Sequence, residues 1–270
     1  MIKCNHKIVA ITQPEFHKID EIITGYAFDI QNEIGRFCDE KIYQKILEEK
    51  CKKNNIKVES EVEVLLKHKD FTKLYKIDLL VENSVIYELK AIKELNNYHK
   101  QQLINYLLIT NLNHGKLINF GSSLVESQFV STNLSEMIRH KYLINTIEWQ
   151  TVTEKCEIIK SILLDLLSDW GTFLECQLYN EALIHFLGGY DKIIVPIDIY
   201  YDNQYVGRQK MCLLDDKTIF HLSAITTAFK RYEQNIKRLI GHTDIETVQW
   251  INFAKHEVKL KTIKNKWQND

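Results

Sequence analysis

The stretch KIDLLVENSVIYELKAIKEL, Lys76 to Leu95, decides how this chain is read. Two apolar runs, IDLLV and VIYELKAI, flank Glu82-Asn83-Ser84, a cluster of turn formers, so the segment reads as strand, tight turn, strand. Interior strands rarely carry ionisable groups without a partner or a task, yet Asp78 lies in the first run and Glu88 and Lys90 in the second. Glu88 and Lys90 are two residues apart and project from the same face of a strand. Across a short hairpin the Asp78 and Glu88 carboxylates can reach one ion. With the adjacent backbone carbonyl of Leu89 they form a hard-oxygen set suited to Mg²⁺ or Mn²⁺. A lysine beside such an ion can orient or help deprotonate a water, or stabilise charge on an attacked phosphate. The bland reading is an edge strand whose solvent face carries a cross-strand salt bridge, since an isolated E-x-K is common.

Upstream, apolar residues from Ile22 to Leu47 recur at helical spacing, which predicts a helical region over about 21–53, interrupted near Gly35. IKVESEVEVLLKHK (56–69) alternates Val58, Val62 and Val64 with Glu59, Glu61 and Glu63 and reads as a half-exposed strand, with Lys69-Asp70 as a turn. Downstream, a helix is expected over about 97–109 and a buried strand at KLINFG (116–121). The order is helix, three-stranded meander, helix, strand. A helix between two strands implies a crossover and a mixed α/β sheet.

The same order begins again from about Glu154. At an offset of 136, Gly35 falls on Gly171, Phe37 on Phe173 and Tyr43 on Tyr179. With a small drift in offset, ELKAI (88–92) faces HLSAI (221–225) and LINF (117–120) faces WINF (250–253). Two domains are expected, 1–140 and 150–270, with a polar boundary between them. By this alignment Cys212 stands at the Asp78 position, His221 replaces Glu88 and Ser223 replaces Lys90. Gln234 keeps the glutamine of Gln102, and Arg238 replaces Tyr106. The second copy therefore reads as a fold retained with its catalytic core lost.

The chain has 270 residues, 45% hydrophobic and 26% charged, enough apolar material for a core in each domain. No apolar run approaches a membrane span, and the first residues lack a secretory signal pattern. Formal net charge is -1. Residues 1–150 hold 20 basic and 20 acidic side chains, so 15 and 16 remain for the second part; neither half is a basic domain. Contact with nucleic acid would run through a local patch. Lys230, Arg231, Lys237, Arg238 and the tail lysines Lys255, Lys259, Lys261, Lys264 and Lys266 offer one, although solvated faces explain them equally well. The six cysteines form no C-x-x-C pair and read as reduced thiols of a cytoplasmic protein.

Together KIDLLVENSVIYELKAIKEL, YHKQQLINYLL (98–108) and GKLINFGSS (115–123) resemble the GxxExxY family, a branch of the PD-(D/E)xK nuclease superfamily. The resemblance covers about residues 20–130. It includes the D-x(n)-E-x-K core as Asp78, Glu88 and Lys90, a His-x-x-Gln pair as His99 and Gln102, and Q-x-x-x-Y as Gln102 and Tyr106, similar to the helix motif of RecB-type nucleases. FCDEKIY (37–43) keeps Glu40 and Tyr43 of the name-giving motif but puts Phe37 where the family has glycine. The resemblance implies two tandem restriction-endonuclease-like α/β/α domains, the second degenerate. It implies a divalent-metal site with Asp78, Glu88 and the Leu89 carbonyl as ligands, Lys90 in the catalytic position, and Glu40, Gln102 and Tyr106 beside it. The function implied is phosphodiester hydrolysis of nucleic acid, DNA before RNA. The second copy would be a pseudo-dimer partner or binding platform. The competing expectation is a nucleic-acid- or protein-binding module on a nuclease fold, weak or inactive in cleavage.

Overall fold

The computed structural model describes residues 2–265. The chain divides into two units, Met1–Ile138 and Arg139–Asp270. No helix among the described residues is long and apolar enough to cross a membrane.

The first unit begins with β1 (Ile2–Cys4), α1 (Gln13–Ile34) and α2 (Glu40–Lys53). A meander follows, β2 (Val58–His68), β3 (Phe71–Val81) and β4 (Val85–Lys90), then α3 (Asn97–Thr110), β5 (His114–Asn119) and β6 (Glu126–Ser131); the single turn α4 (Glu136–Arg139) runs across the boundary, with Arg139 in the second unit. The six strands form one sheet in sequence order. Because α3 crosses over, β4 and β5 run parallel, Glu88 beside Leu117 and Lys90 beside Asn119, and the other neighbours are antiparallel. The first helix starts at Gln13, eight residues earlier than the apolar spacing indicated. The Glu15 carboxylate accepts from both the backbone N–H and the hydroxyl of Thr12, Pro14 occupies the first turn, and Phe16 is buried in the core, so capping and one buried ring extend the helix through a polar segment.

The alternation of β4 separates the core from the site. Tyr87 and Leu89 pack with Phe16, Ile23, Tyr43 and Leu47 of α1 and α2, while Glu88 and Lys90 fall on the other face. A buried Lys116–Asp20 pair (2.6 Å), supported by Thr24, ties β5 to α1.

The second unit starts with β7 (Leu143–Glu148), α5 (Glu154–Trp170), α6 (Cys176–Phe186) and α7 (Tyr190–Ile193). Its meander is β8 (Ile194–Tyr201), β9 (Gln204–Asp215) and β10 (Thr218–Ser223), followed by α8 (Phe229–Ile240), β11 (Thr247–Ala254) and β12 (Glu257–Lys264). The sheet order β8-β9-β10-β11-β12-β7 repeats that of the first unit, except that the added strand joins the opposite edge. Again the pair joined through a helix, β10 and β11, is parallel. The architecture is thus two mixed α/β sheets in tandem, as expected.

The correspondence reaches individual bonds. Tyr43 Oη donates to Gly35 O (2.8 Å) and Tyr179 Oη to Gly171 O (2.7 Å). Both glycines have positive φ, +76° and +70°, and a Cβ on Gly171 would lie 2.7 Å from the Arg139 carbonyl oxygen. Tyr43 stacks on Phe120 with centroids 4.4 Å apart, and Tyr179 lies 4.6 Å from Phe253. Asn119 Oδ1 accepts from Ile92 N (3.0 Å), as Asn252 Oδ1 does from Ile225 N (2.9 Å).

Three positions of the sequence alignment are corrected by this geometry. In the first unit Leu79 pairs with Tyr87, which sets Asp78 opposite Glu88. In the second, Asp215 pairs with Thr218 across a two-residue turn, and that turn alone would set Cys212 opposite His221. A bulge after Thr218 shifts the register by one, pairing Phe220 with Cys212, so Met211 takes the position opposite His221 and corresponds to Asp78. On the crossover helices, buried Leu103 and Leu107 match buried Ile236 and Ile240. Asn235 and Leu239, rather than Gln234 and Arg238, therefore stand where Gln102 and Tyr106 do.

Candidate active site in the first unit

Glu88 is the most buried acidic side chain of the first sheet, 1% exposed, and its Oε2 has no hydrogen-bond partner among the described residues. Its other oxygen accepts from Lys90 Nζ at 2.5 Å. The Lys90 ammonium also donates to the Leu89 carbonyl (2.8 Å) and lies 3.9 Å from Glu40 Oε2. Asp78 reaches across the hairpin, where its Oδ2 accepts from the Leu89 backbone N–H at 2.8 Å. Asp78, Glu88, Leu89, Lys90 and Glu40 are therefore gathered in one place. Glu40 lies on the first turn of α2, beyond the break at Gly35.

Burial and the Asp78 charge raise the Glu88 carboxyl to about 8, against the opposing pull of Lys90. Asp78 is also raised, chiefly by burial, with the Leu89 N–H and Lys90 holding it down. Burial lifts Glu40 as well. For Lys90 burial acts downward, but Glu88, Asp78 and Glu40 outweigh it and the ammonium is held above its ordinary value. Three carboxyls thus share one lysine, an arrangement short of positive charge.

Among the described residues no group of three or more His, Cys, Asp or Glu side chains is arranged to hold a metal ion. The donor set here comprises one buried carboxylate, Glu88, one half-buried carboxylate, Asp78, and a main-chain carbonyl. The unpartnered Glu88 Oε2 and the all-oxygen chemistry fit a hard divalent cation. The Lys90 ammonium touches two of those three donors, so a cation held there would share the Leu89 oxygen with that ammonium or displace it.

The other predicted residues lie on α3. Gln102 Nε2 donates to Tyr106 Oη at 3.1 Å, one helical turn on, and the Tyr106 ring meets Tyr75 edge-on. His99 Nδ1 accepts from Asn96 N (3.1 Å) and so helps cap the helix. Burial and then the Lys90 charge lower its pKa, which puts the start of α3 within electrostatic reach of the lysine.

Two residues escaped the sequence reading. Glu61 lies on β2 between Ser60, which pairs with Leu79, and Val62, which pairs with Ile77, so it faces Asp78. It adopts a left-handed φ of +52°, uncommon for a residue with a side chain. Its carboxylate accepts from Lys41 and from Gln44 Nε2 (3.2 Å), and its charge contributes to raising Asp78. The Gln44 amide also donates to the Asp78 carbonyl at 2.7 Å, tying α2 to the backbone of β3. An acidic residue in every second position of VESEVEV signals a solvent face; nothing in that pattern marks Glu61 as different.

The basic patch expected in the second unit is partly neutralised. Lys237 pairs with Glu233, Lys261 with Glu148 and Glu233, and Lys259 with Glu257. Lys230, Arg231, Arg238, Lys255 and Lys264 are exposed, and Lys266 lies outside the described residues.

No curated protein shows detectable similarity to the chain. Residues 17–131, which carry all the carboxyl groups and the lysine of this site, match the PD-(D/E)XK nuclease superfamily.

Proposed function

We propose that the first unit is a divalent-metal-dependent nuclease of the GxxExxY type, hydrolysing phosphodiester bonds of nucleic acid, with DNA preferred over RNA. The observation that carries this reading is Glu88, buried, with one oxygen unpartnered, beside Asp78 and Lys90. Asp78, Glu88 and the Leu89 carbonyl would hold Mg²⁺ or Mn²⁺, which when bound supplies Lewis acidity toward a phosphate oxygen and a more acidic water. Lys90, once released from the Leu89 carbonyl, has the reach to orient the attacking water and to offset charge on the phosphate. Glu88 first, then Asp78 and Glu40, hold that ammonium protonated and near the carboxylates. Gln44 fixes the backbone at Asp78, so the two carboxylates keep their separation.

The second unit is a degenerate copy in this account: Met211, His221 and Ser223 replace Asp78, Glu88 and Lys90, and it serves as pseudo-dimer partner or binding platform. One observation favours the second reading, a binding module with weak or no cleavage: Lys90 closes over two of the three proposed ligands. A panel of labelled single- and double-stranded DNA and RNA, incubated with Mg²⁺, Mn²⁺ or EDTA, separates the two. Cleavage of one class that EDTA abolishes supports the nuclease. Binding without cleavage, indifferent to EDTA, supports the module.

A further inference from the structure

The second unit has a cavity of about 700 Å³ where the first has its carboxylates. It is framed by the corresponding elements, the start of α6, the strands β9 and β10, and α8. Cys176 opens α6 as Glu40 opens α2, and Asn180 is fifth in α6 as Gln44 is fifth in α2. The register sets Met211 and His221 where Asp78 and Glu88 stand. All four line the cavity, together with Asn235 at the Gln102 position.

The substitutions reverse the chemistry of the place. No aspartate or glutamate lines the cavity, and its ionisable nitrogens belong to Lys210 and His221. Burial lowers the His221 pKa, and it raises the thiols of Cys212 and Cys176 to about 11 and about 12, so the interior carries no charge at neutral pH. Lys210 is exposed and contacts Tyr190 Oη at 3.4 Å; among the described residues no carboxylate pairs with it. The walls are apolar, with Met211, Ile219, Phe220 and Ile236 prominent. Tyr232 stands with its ring stacked against His221 and Trp250, and its hydroxyl and His221 Nε2 are 2.7 Å apart.

A site of this size, apolar with a few convergent polar groups, is typical for a small organic ligand. Phe220 and Tyr232 bring aromatic surface to the lining, which suits a planar ring. Asn235 presents an amide donor beside an acceptor, Asn180 keeps its Nδ2 donor while its Oδ1 accepts from Cys212 Sγ (4.0 Å), and Gln209 keeps its Oε1 acceptor while its Nε2 donates to the Lys210 carbonyl (3.2 Å), a mixture that suits the edge of a heterocyclic base. The lone lysine at the rim, with no acidic neighbour in the lining, suits an anionic substituent on that ring system. We propose that the second unit binds a nucleotide in this cavity, its base against the β9, β10 and α8 walls and its phosphate at Lys210. The nucleotide is either free or the end of a strand, and in either form it is independent of cleavage in the first unit.

The test is calorimetric titration of the full chain in EDTA, carrying Glu88→Gln so that the first site does not contribute a metal-held phosphate. The probes are the four common nucleoside 5′-monophosphates, the unphosphorylated nucleosides, and five-nucleotide single strands. The expected result is saturable binding of at least one phosphorylated probe, weakened at least about tenfold by Lys210→Glu and by Asn180→Leu, with nucleoside binding insensitive to Lys210→Glu. Binding of monophosphates identifies a free nucleotide, and binding of strands alone identifies a strand end. Lys210 is exposed, so its variant reads binding without disturbing the fold. Absence of binding by every probe at millimolar concentration, or binding unchanged in both variants, overturns the proposal.

Discussion

The Glu88 carboxyl, raised to about 8 from an ordinary 4.5, binds its proton more tightly in the folded chain than in the unfolded one. Between those two values folding takes up a proton, so stability of the metal-free protein falls as pH rises. The contribution is complete below about 4.5 and is lost as pH passes through 8. Thermal melts in EDTA should show the melting temperature dropping by more than about 5 °C across this window, and Glu88→Gln, neutral throughout, should flatten the profile. Parallel profiles for the two proteins would refute the assignment. Gln44 is a positioning residue by the same argument. Gln44→Leu should lower cleavage about tenfold with little change in apparent substrate affinity, because it frees the Asp78 carbonyl and Glu61 without touching a proposed ligand. A change confined to affinity would count against it. Asp78, Glu88 and Lys90 were legible because charged residues interrupt strands that are otherwise apolar. Glu61 and Gln44 were not. Their roles depend on a left-handed backbone at Glu61 and on where α2 docks, and neither leaves a mark in composition.

At the scale of elements, the turn before the second helix of each unit is closed by a tyrosine hydroxyl on a glycine carbonyl. Tyr43 Oη also accepts from Cys38 N at 3.1 Å. Tyr43→Phe and Tyr179→Phe should each cost about 1–2 kcal/mol in denaturant unfolding, since a polar group is left unsatisfied in partly or wholly buried surroundings. A loss at one site but not the other would break the equivalence drawn between them. Gly121 presents a different constraint. A Cβ there would lie 2.5 Å from the backbone nitrogen of Ile92, two residues past Lys90. Gly121→Ala should both destabilise the first unit and reduce cleavage, measured by melting and by rate on the same preparation, because relief of the clash displaces the end of β4. Strands β2 to β5 were readable from alternation and turn chemistry, whereas β1 (three residues), β6 and β7 were not. They are short edge strands, and ESQFVS and LINTIE bury little, so pairing with a neighbour defines them more than their own pattern does.

At the scale of the molecule, one topology is used twice with opposite electrostatics. Three raised carboxyls cluster in the first unit, and an apolar cavity with a lysine, Lys210, in its lining and no carboxylate occupies the corresponding place in the second. The repeat was visible in the order of elements and in ELKAI facing HLSAI, but the Met211 register was not. A short turn and a compensating bulge cancel each other, and sequence spacing alone gives no sign of the bulge. Because the ligand set belongs to the folded state, Mn²⁺ should stabilise the chain by about 2.7 kcal/mol at a hundred times its dissociation constant, and Asp78→Asn should abolish that gain. The most direct measurement is the rate of cleavage of the preferred labelled substrate in Mg²⁺ by wild type, Glu88→Gln and Lys90→Ala, each shown by circular dichroism to be folded. The account predicts cleavage by the wild type that EDTA stops, reduced at least about a hundredfold in both variants. Equal rates in all three folded proteins would contradict it.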